Sequence, residues 1–392
     1  MRTTESHGAP RFLNLHILVS HGPSVMNRDD LGLHKAVRFG GKRRLRLSSQ
    51  CLKRAVRTSD LYVSYFGPES IRTREVDRLL ALCLEQLGSR FGEETVRRAI
   101  AAIAGLQRIE PGDRASAVAP WTIDEVADAC EAIKAAGPAP LGEDAGEEPK
   151  AKGKGKGKGK GKTGNGDGSD EAIVSRALAE NRPGRTTVDI AMGGRFSTTG
   201  AMTDIDGALY MSHALTTHAA DDEVDWFAAM DDLAGETTGR AGHLDQTSFG
   251  TGVFYKFAVI DIPQLARTLS VTREEALDAA AKYAELVAVV SPGGKQHSFA
   301  SFSPPDYVAA SFERVSINGA NAFECPVNRD RQGGFLAPSI AAFEDFMTRT
   351  RRGLSRSSDL GVYTPWSSGA TPRFERLSEL LDWIRSDPEA GA

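Results

Sequence analysis

Apolar residues along this chain follow two rhythms, and the switches between them outline the fold. Phe12–Ser20 (FLNLHILVS) is dense in Leu, Ile and Val over nine positions, as a buried strand requires. His21–Gly41 breaks the pattern with five Gly or Pro residues and reads as a loop. Arg43–Leu47 alternates basic and apolar side chains, placing Arg44 and Arg46 on one face and Leu45 and Leu47 on the other. Ser48 or Ser49 then caps a helix over Gln50–Thr58. Helical spacing dominates Arg74–Ala104 and Thr122–Ala136, and returns briefly at Ala172–Glu180. Thr186–Met192 reads as a buried strand ending in the Gly193–Gly194 turn, and Asp204–Asp232 is mixed. Phe249–Asp261 (FGTGVFYKFAVID) is strongly β-prone. Thr272–Val290 opens with a capping box, Thr272 and Glu275. Gln296–Phe302 and Tyr307–Ile317 read as strands, and helices near Ile340–Arg351 and Arg376–Arg385 close the chain.

Without its middle insertions this order is strand, loop, strand, helix, then later strands, a helix and two more strands. It predicts an α+β chain: a ferredoxin-like sheet carrying a helical insertion and a loop or hairpin insertion. A length of 392 residues allows two or three modules. The opening MRTTESHGAPRF is polar, so no secretory leader is expected, and no apolar run reaches membrane-spanning length. Four scattered cysteines, Cys51, Cys83, Cys130 and Cys325, form no zinc or disulfide pattern and suit a reducing cytoplasm.

Charge changes the picture. The chain carries a formal −4, yet Arg28–Arg57 holds ten Lys or Arg against Asp29 and Asp30, a local +8. Lys150–Asp170 adds a Lys-Gly repeat with nothing apolar to bury, which predicts an extended, disordered loop. Its Lys150–Lys162 part alone contributes seven lysines, so the remainder of the chain sits at −11 and the basic segment stands out further. A cationic segment on an acidic body is the footprint of a polyanion site.

The segment's order of residue types supports that reading. Gly40 and Gly41 allow close backbone approach, and Arg44, Arg46 and Ser48 share a strand face. The N–H groups of Ser49 and Gln50 would form an anion site at the helix start, with Gln50, Lys53 and Arg57 along one helix face. None of these groups needs to read a base edge.

Other signals are weaker. Gly161-Lys162-Thr163 tempts a phosphate-loop reading, but the glycine that motif needs at 156 is Lys156. Tyr255 and Phe257 share a face and suit a core better than a base platform, and His213 and His218 suit polar networks better than a metal pair. No cofactor or metal motif stands out. Asp29 and Asp30 leave two readings: carboxylates that cap their loop or pair with Arg28 or Lys35, or Mg²⁺ ligands beside a bound strand.

SHGPSVMNRDDLGLHKAVRFGGKRRLRLSSQCLKRAVR, from Ser20 to Arg57, resembles the signature of the CasC family, the repeated backbone subunit of the type I-E CRISPR Cascade complex. The likeness continues through Asp189–Leu233, Phe249–Leu265, Pro292–Val308 and Asn318–Glu324, and the Lys-Gly repeat is a departure from it. It implies a non-catalytic scaffold in antiviral defence, with no membrane association. The implied shape is an RRM-like palm (residues 1–66, 185–201 and 249–392), helical fingers (67–184) and a β-hairpin thumb (202–248). Its implied partners are CRISPR RNA, target DNA paired to that guide, copies of itself stacked head to tail as a hexamer, and other Cascade subunits. Carried over by motif, Arg28, Lys35, Lys42, Arg46, Ser48, Gln50, Lys53 and Arg57 would contact the guide, and Phe196 would pack on bases. Trp226 and Phe227 would serve the thumb, while the acidic stretch Asp221–Asp232 faces either a neighbour or solvent. The same likeness sharpens the rival. Backbone subunits of distantly related type III complexes cut target RNA with a loop aspartate near this place, a role that would fall to Asp30. A free-standing protein that reads a preferred RNA sequence is a second rival.

Overall fold

The computed structural model describes residues 11–137, 169–180, 186–197, 201–220, 223–230, 241–355, 360–365 and 373–388. Most of the Lys-Gly repeat, Thr198 to Gly200, Asp221, Asp222, Asp231 and Asp232 lie outside those residues.

Among the described residues twelve strands follow in chain order: β1 (Phe12–Ser24), β2 (Ala36–Phe39), β3 (Lys42–Leu47), β4 (Ile71–Glu75), β5 (Arg114–Trp121), β6 (Leu209–Met211), β7 (Ala214–Thr216), β8 (Glu223–Met230), β9 (Ala241–Asp261), β10 (Tyr307–Glu313), β11 (Leu360–Tyr363) and β12 (Arg373–Phe374). The chain divides into two compact units, one of residues 1–69, 207–267 and 271–392, the other of residues 70–206 and 268–270.

The first unit is built on one sheet in the order β12-β11-β10-β1-β9-β7-β3-β2, with β6 and β8 also paired to β9. Every pair is antiparallel except β11 with β12. β1 sits near the middle and is buried on both faces, which explains its unbroken apolar run. On one face Leu18, Val253, Tyr255, Phe257 and Tyr307 pack with Phe343 and Met347 of helix Leu336–Gly353. On the other, Val19, Leu45, Leu47 and Phe254 pack with Leu52 of helix Ser49–Arg57. That helix and Asp60–Phe66 rest on helix Arg273–Val289, where the Tyr65 hydroxyl donates to Glu285 Oε2 at 2.7 Å. The expected capping box is present, with Thr272 and Glu275 bonded reciprocally.

β9 is 21 residues long and does two jobs. Its first part pairs with β8 in a hairpin running from Glu223 opposite Phe249 to Met230 opposite Ala241. Its second part runs between β1 and β7.

The second unit pairs β4 with β5 and packs helices Val76–Phe91, Glu93–Ala104, Ile123–Ala136 and Asp170–Glu180 around a core that includes Leu80, Ile100, Trp121, Ile133 and Leu178.

Several local expectations change, among them the loop read over His21–Gly41, which contains the end of β1 and all of β2. Val188–Gly193 is a short helix rather than a strand. A six-residue apolar run cannot distinguish the two by periodicity, and Asp189 settles it as a buried acceptor for the Ser70 amide and hydroxyl and for Thr187 Oγ1. Gln296–Phe299 is one helical turn rather than the start of a strand, because the Gln296 side chain folds back to accept from Ser301. Residues 209–216, expected in the hairpin insertion, form β6 and β7 of the main sheet instead.

Candidate nucleic-acid interface

The basic segment folds as a strand hairpin followed by a helix. β2 and β3 pair with Phe39 opposite Lys42, leaving Gly40 and Gly41 as a two-residue turn. Both have positive φ, 57° and 73°, as such turns demand. Arg38 lies directly opposite Arg43 in this ladder. Like charges in that position repel, so the hairpin gains from any anion laid along it.

Arg46 and Lys35 are neighbours, since the Arg46 amide donates to the Lys35 carbonyl at 2.8 Å. His213 joins them. Its Nδ1 accepts the Ser49 N–H at 2.8 Å, and its pKa is lowered by burial and then by Arg46 and Lys35. The imidazole therefore stays a neutral acceptor beside two cations. Arg28 is exposed one loop away, joined to this group through Asn27, whose carbonyl accepts from the Lys35 amide and whose Oδ1 accepts from Ser48 N–H at 2.8 Å. Lys53 reaches across to the Leu209 carbonyl at 3.3 Å, and Arg57 follows one turn later on the same helix. Lys42 stands exposed at the turn end of β3, about 13 Å from Arg46 at strand spacing. Arg28, Lys35 and Arg46 thus gather at one end of β3 and Lys42 stands at the other, with buried Arg44 between them on that face, and Lys53 and Arg57 lie on the helix that β3 leads into.

Four parts of the expected site do something else. Arg44 is fully buried. Its guanidinium donates to the carbonyls of Thr216 and Phe323, both at 2.9 Å, and of Glu324 at 3.4 Å. Arg44 is therefore a brace for the fold, although it shares a strand face with Arg46. Ser48 is nearly buried and caps the helix by accepting Cys51 N–H at 3.3 Å. The anion site expected at the helix start is filled at Ser49 and Cys51 by His213 and Ser48, both acceptors from the chain itself. Gln50 remains exposed at that helix start. Gly40 makes room for the protein rather than a ligand, since a Cβ there would sit 1.6 Å from the Glu324 carbonyl oxygen.

Phe196 belongs to the second unit and is 76% exposed. It is held from both sides: buried Arg195 pairs with Glu125 at 2.8 Å, and the Ser197 amide donates to Asp204 Oδ1 at 2.6 Å. Trp226 is 64% exposed on β8 opposite Gln246, and Phe227 follows opposite Asp245. Glu223 and Asp225, the described acids of the acidic stretch, are exposed on the same strand. Asp29 caps its own loop, accepting from the amides of Leu31 and Leu33, both at 2.9 Å, while Asp30 is exposed. Tyr255 and Phe257 are buried in the core, and His218 bonds the Val253 amide and the Ala219 carbonyl while stacking on Phe335. Composition pointed to neither His213 nor Asn27 as part of the basic group; His213 accepts one backbone N–H from a residue remote in sequence, and Asn27 accepts two, from Lys35 and Ser48.

Comparison with known proteins places this geometry. The chain is similar to a solved chain described as "CRISPR RNA-guided surveillance complex, pre-nicking", with TM-score 0.76, 24% identity, and 96% of this chain covering 99% of that one. It is also similar to one described as "CRISPR RNA-guided surveillance complex", with TM-score 0.57, 20% identity and the same coverage. At these identities the likeness is one of fold. No curated protein matches the chain. Residues 13–379 match the family described as CT1975-like protein, so the chain belongs to that family.

Proposed function

We propose that this chain is a non-catalytic scaffold subunit of a CRISPR RNA-guided surveillance complex, holding guide RNA by its ribose-phosphate backbone. The observation that carries the reading is the cationic strip of Arg28, Lys35 and Arg46 at one end of β3 and Lys42 at the other, continued by Lys53 and Arg57, on a chain of net negative charge. Family membership and the fold likeness to surveillance-complex chains point the same way. Cations on strand and helix grip phosphates whatever the bases, as a subunit serving many guides requires.

The finer reading is the type I-E backbone. The sheet order β10-β1-β9-β7, with helices between β1 and β7 and again between β9 and β10, supports a ferredoxin-like, RRM-like palm. The β8–β9 hairpin would be the thumb and the helical unit the fingers. In this reading copies stack head to tail along the guide in a hexamer, beside other Cascade subunits, and leave bases free to pair with target DNA. Exposed Phe196 and Trp226 would stack on or part the bases.

Purified chain should bind unrelated single-stranded RNAs of equal length with similar affinity. Lys42→Ala or Arg28→Ala should weaken all of them alike and lower the slope of log affinity against log salt by about 0.7 for each lost phosphate contact. Sharp preference for one sequence, or a slope unchanged in both variants, would overturn the proposal. Guide-loaded complex given complementary RNA and Mg²⁺ should leave that RNA intact; cutting that vanishes in Asp30→Ala would assign a ribonuclease instead.

A further inference from the structure

The chain builds one loop twice. Asn27–Leu33 reads NRDDLGL and Asn328–Gly334 reads NRDRQGG. In the first, the Asp29 amide donates to the Leu33 carbonyl at 2.9 Å and the Gly32 amide to the Asp29 carbonyl at 3.1 Å. Asp29 Oδ1 accepts from the amides of Leu31 and Leu33, both at 2.9 Å. In the second, the Asp330 amide donates to the Gly334 carbonyl at 2.9 Å and the Gly333 amide to the Asp330 carbonyl at 3.1 Å. Asp330 Oδ1 accepts from the amides of Gln332 at 2.9 Å and Gly334 at 2.8 Å. Gly32 and Gly333 hold the same left-handed position, with φ of 80° and 91°.

This closure has an electrostatic result. Each aspartate turns a carboxylate oxygen onto its own backbone, and neither pairs with the arginine before it. Arg28, Arg329 and Arg331 are all exposed, and among the described residues none has a carboxylate within ion-pair distance. Arg329 lies 5.3 Å from the centroid of the Phe335 ring, which steadies the side chain without neutralising it.

The two loops root at opposite ends of β3. Asn27 Oδ1 bonds the Ser48 amide just beyond Leu47. The segment leading into the second loop meets the other end: the Glu324 carbonyl packs on Gly40, and the Val327 amide donates to the Thr217 carbonyl. Six strand residues, about 20 Å, separate these ends. Lys42 lies at the second end, where the cationic strip otherwise stops.

We propose that Asn328–Gly334 is a second phosphate-binding loop, in which Arg329 and Arg331 hold the backbone of single-stranded RNA at the Lys42 end of the strip as Arg28 holds it at the helix end. This rests on the RNA-binding reading of the strip. The test is equilibrium binding of the full chain to oligo(U) and to a mixed-sequence RNA over a range of salt concentrations. Arg329→Gln and Arg331→Gln should each lower the salt slope by about 0.7, weakening binding about fourfold at 0.15 M salt on both RNAs. Arg329→Lys should keep most of the slope, since the loop's own bonds are made by backbone and aspartate. Unchanged binding in the double Gln variant, while Arg28→Gln and Lys42→Ala still lose affinity, would overturn the second loop and leave the strip standing. Failure of the wild-type chain to bind either RNA would overturn both.

Discussion

Arg44→Ala should destabilise the sheet-bearing unit by about 3–5 kcal/mol, read as a lowered midpoint in urea or thermal unfolding. The guanidinium is completely buried and serves three carbonyls at once. Alanine leaves those acceptors without their donor and opens a cavity the size of an arginine side chain. Burial already lowers the pKa of Arg44, the sign that its charge is held at a cost by the partners it ties together. Arg44→Lys keeps the charge but offers a point donor in place of a planar fork, so it should recover only part of the loss. Arg46→Ala, two residues along the same strand face, should leave the midpoint nearly unchanged and weaken RNA binding. The decisive comparison is between the two: an Arg44→Ala chain as stable as the parent, with RNA binding lost, would make Arg44 a ligand-facing residue after all.

Gly40→Ala should cost about 2–5 kcal/mol, against about 1–2 kcal/mol for Gly41→Ala. Both positions have positive φ and so penalise a side chain. Only at Gly40 does a Cβ also strike the Glu324 carbonyl oxygen, at 1.6 Å, a backbone atom that cannot rotate away; at Gly41 it meets nothing within 4 Å. Parallel thermal melts of the two variants test this. Equal losses would mean that the turn's dihedral angles, and not contact with Glu324, account for the glycine pair.

These two residues mark where the sequence could be read and where it could not. Local physics made β1, the alternation of β3, the Ser48 cap and the Thr272 capping box legible, because each is set by neighbours within a few positions. Alternation also put Arg44 and Arg46 on the same face correctly. It could not say that the chain returns some 280 residues later to cover half of that face with Phe323 and Glu324. The helix start reads the same way: its pattern promises open N–H groups, and His213, remote in sequence, fills one. Val188–Gly193 was illegible for another reason, since a run that short fits strand or helix equally. The second arginine loop was hidden because two cations in seven residues do not register as charge enrichment.

β9 belongs at once to the hairpin that carries Trp226 and to the central ladder beside β1. On the β9 side the arm and its mounting are therefore one strand, with a register shift against β1 where the two parts meet. A pull along its length would load the β1 rungs in shear, many at a time, rather than peel them singly, so Trp226 is aimed by the twist of the sheet itself.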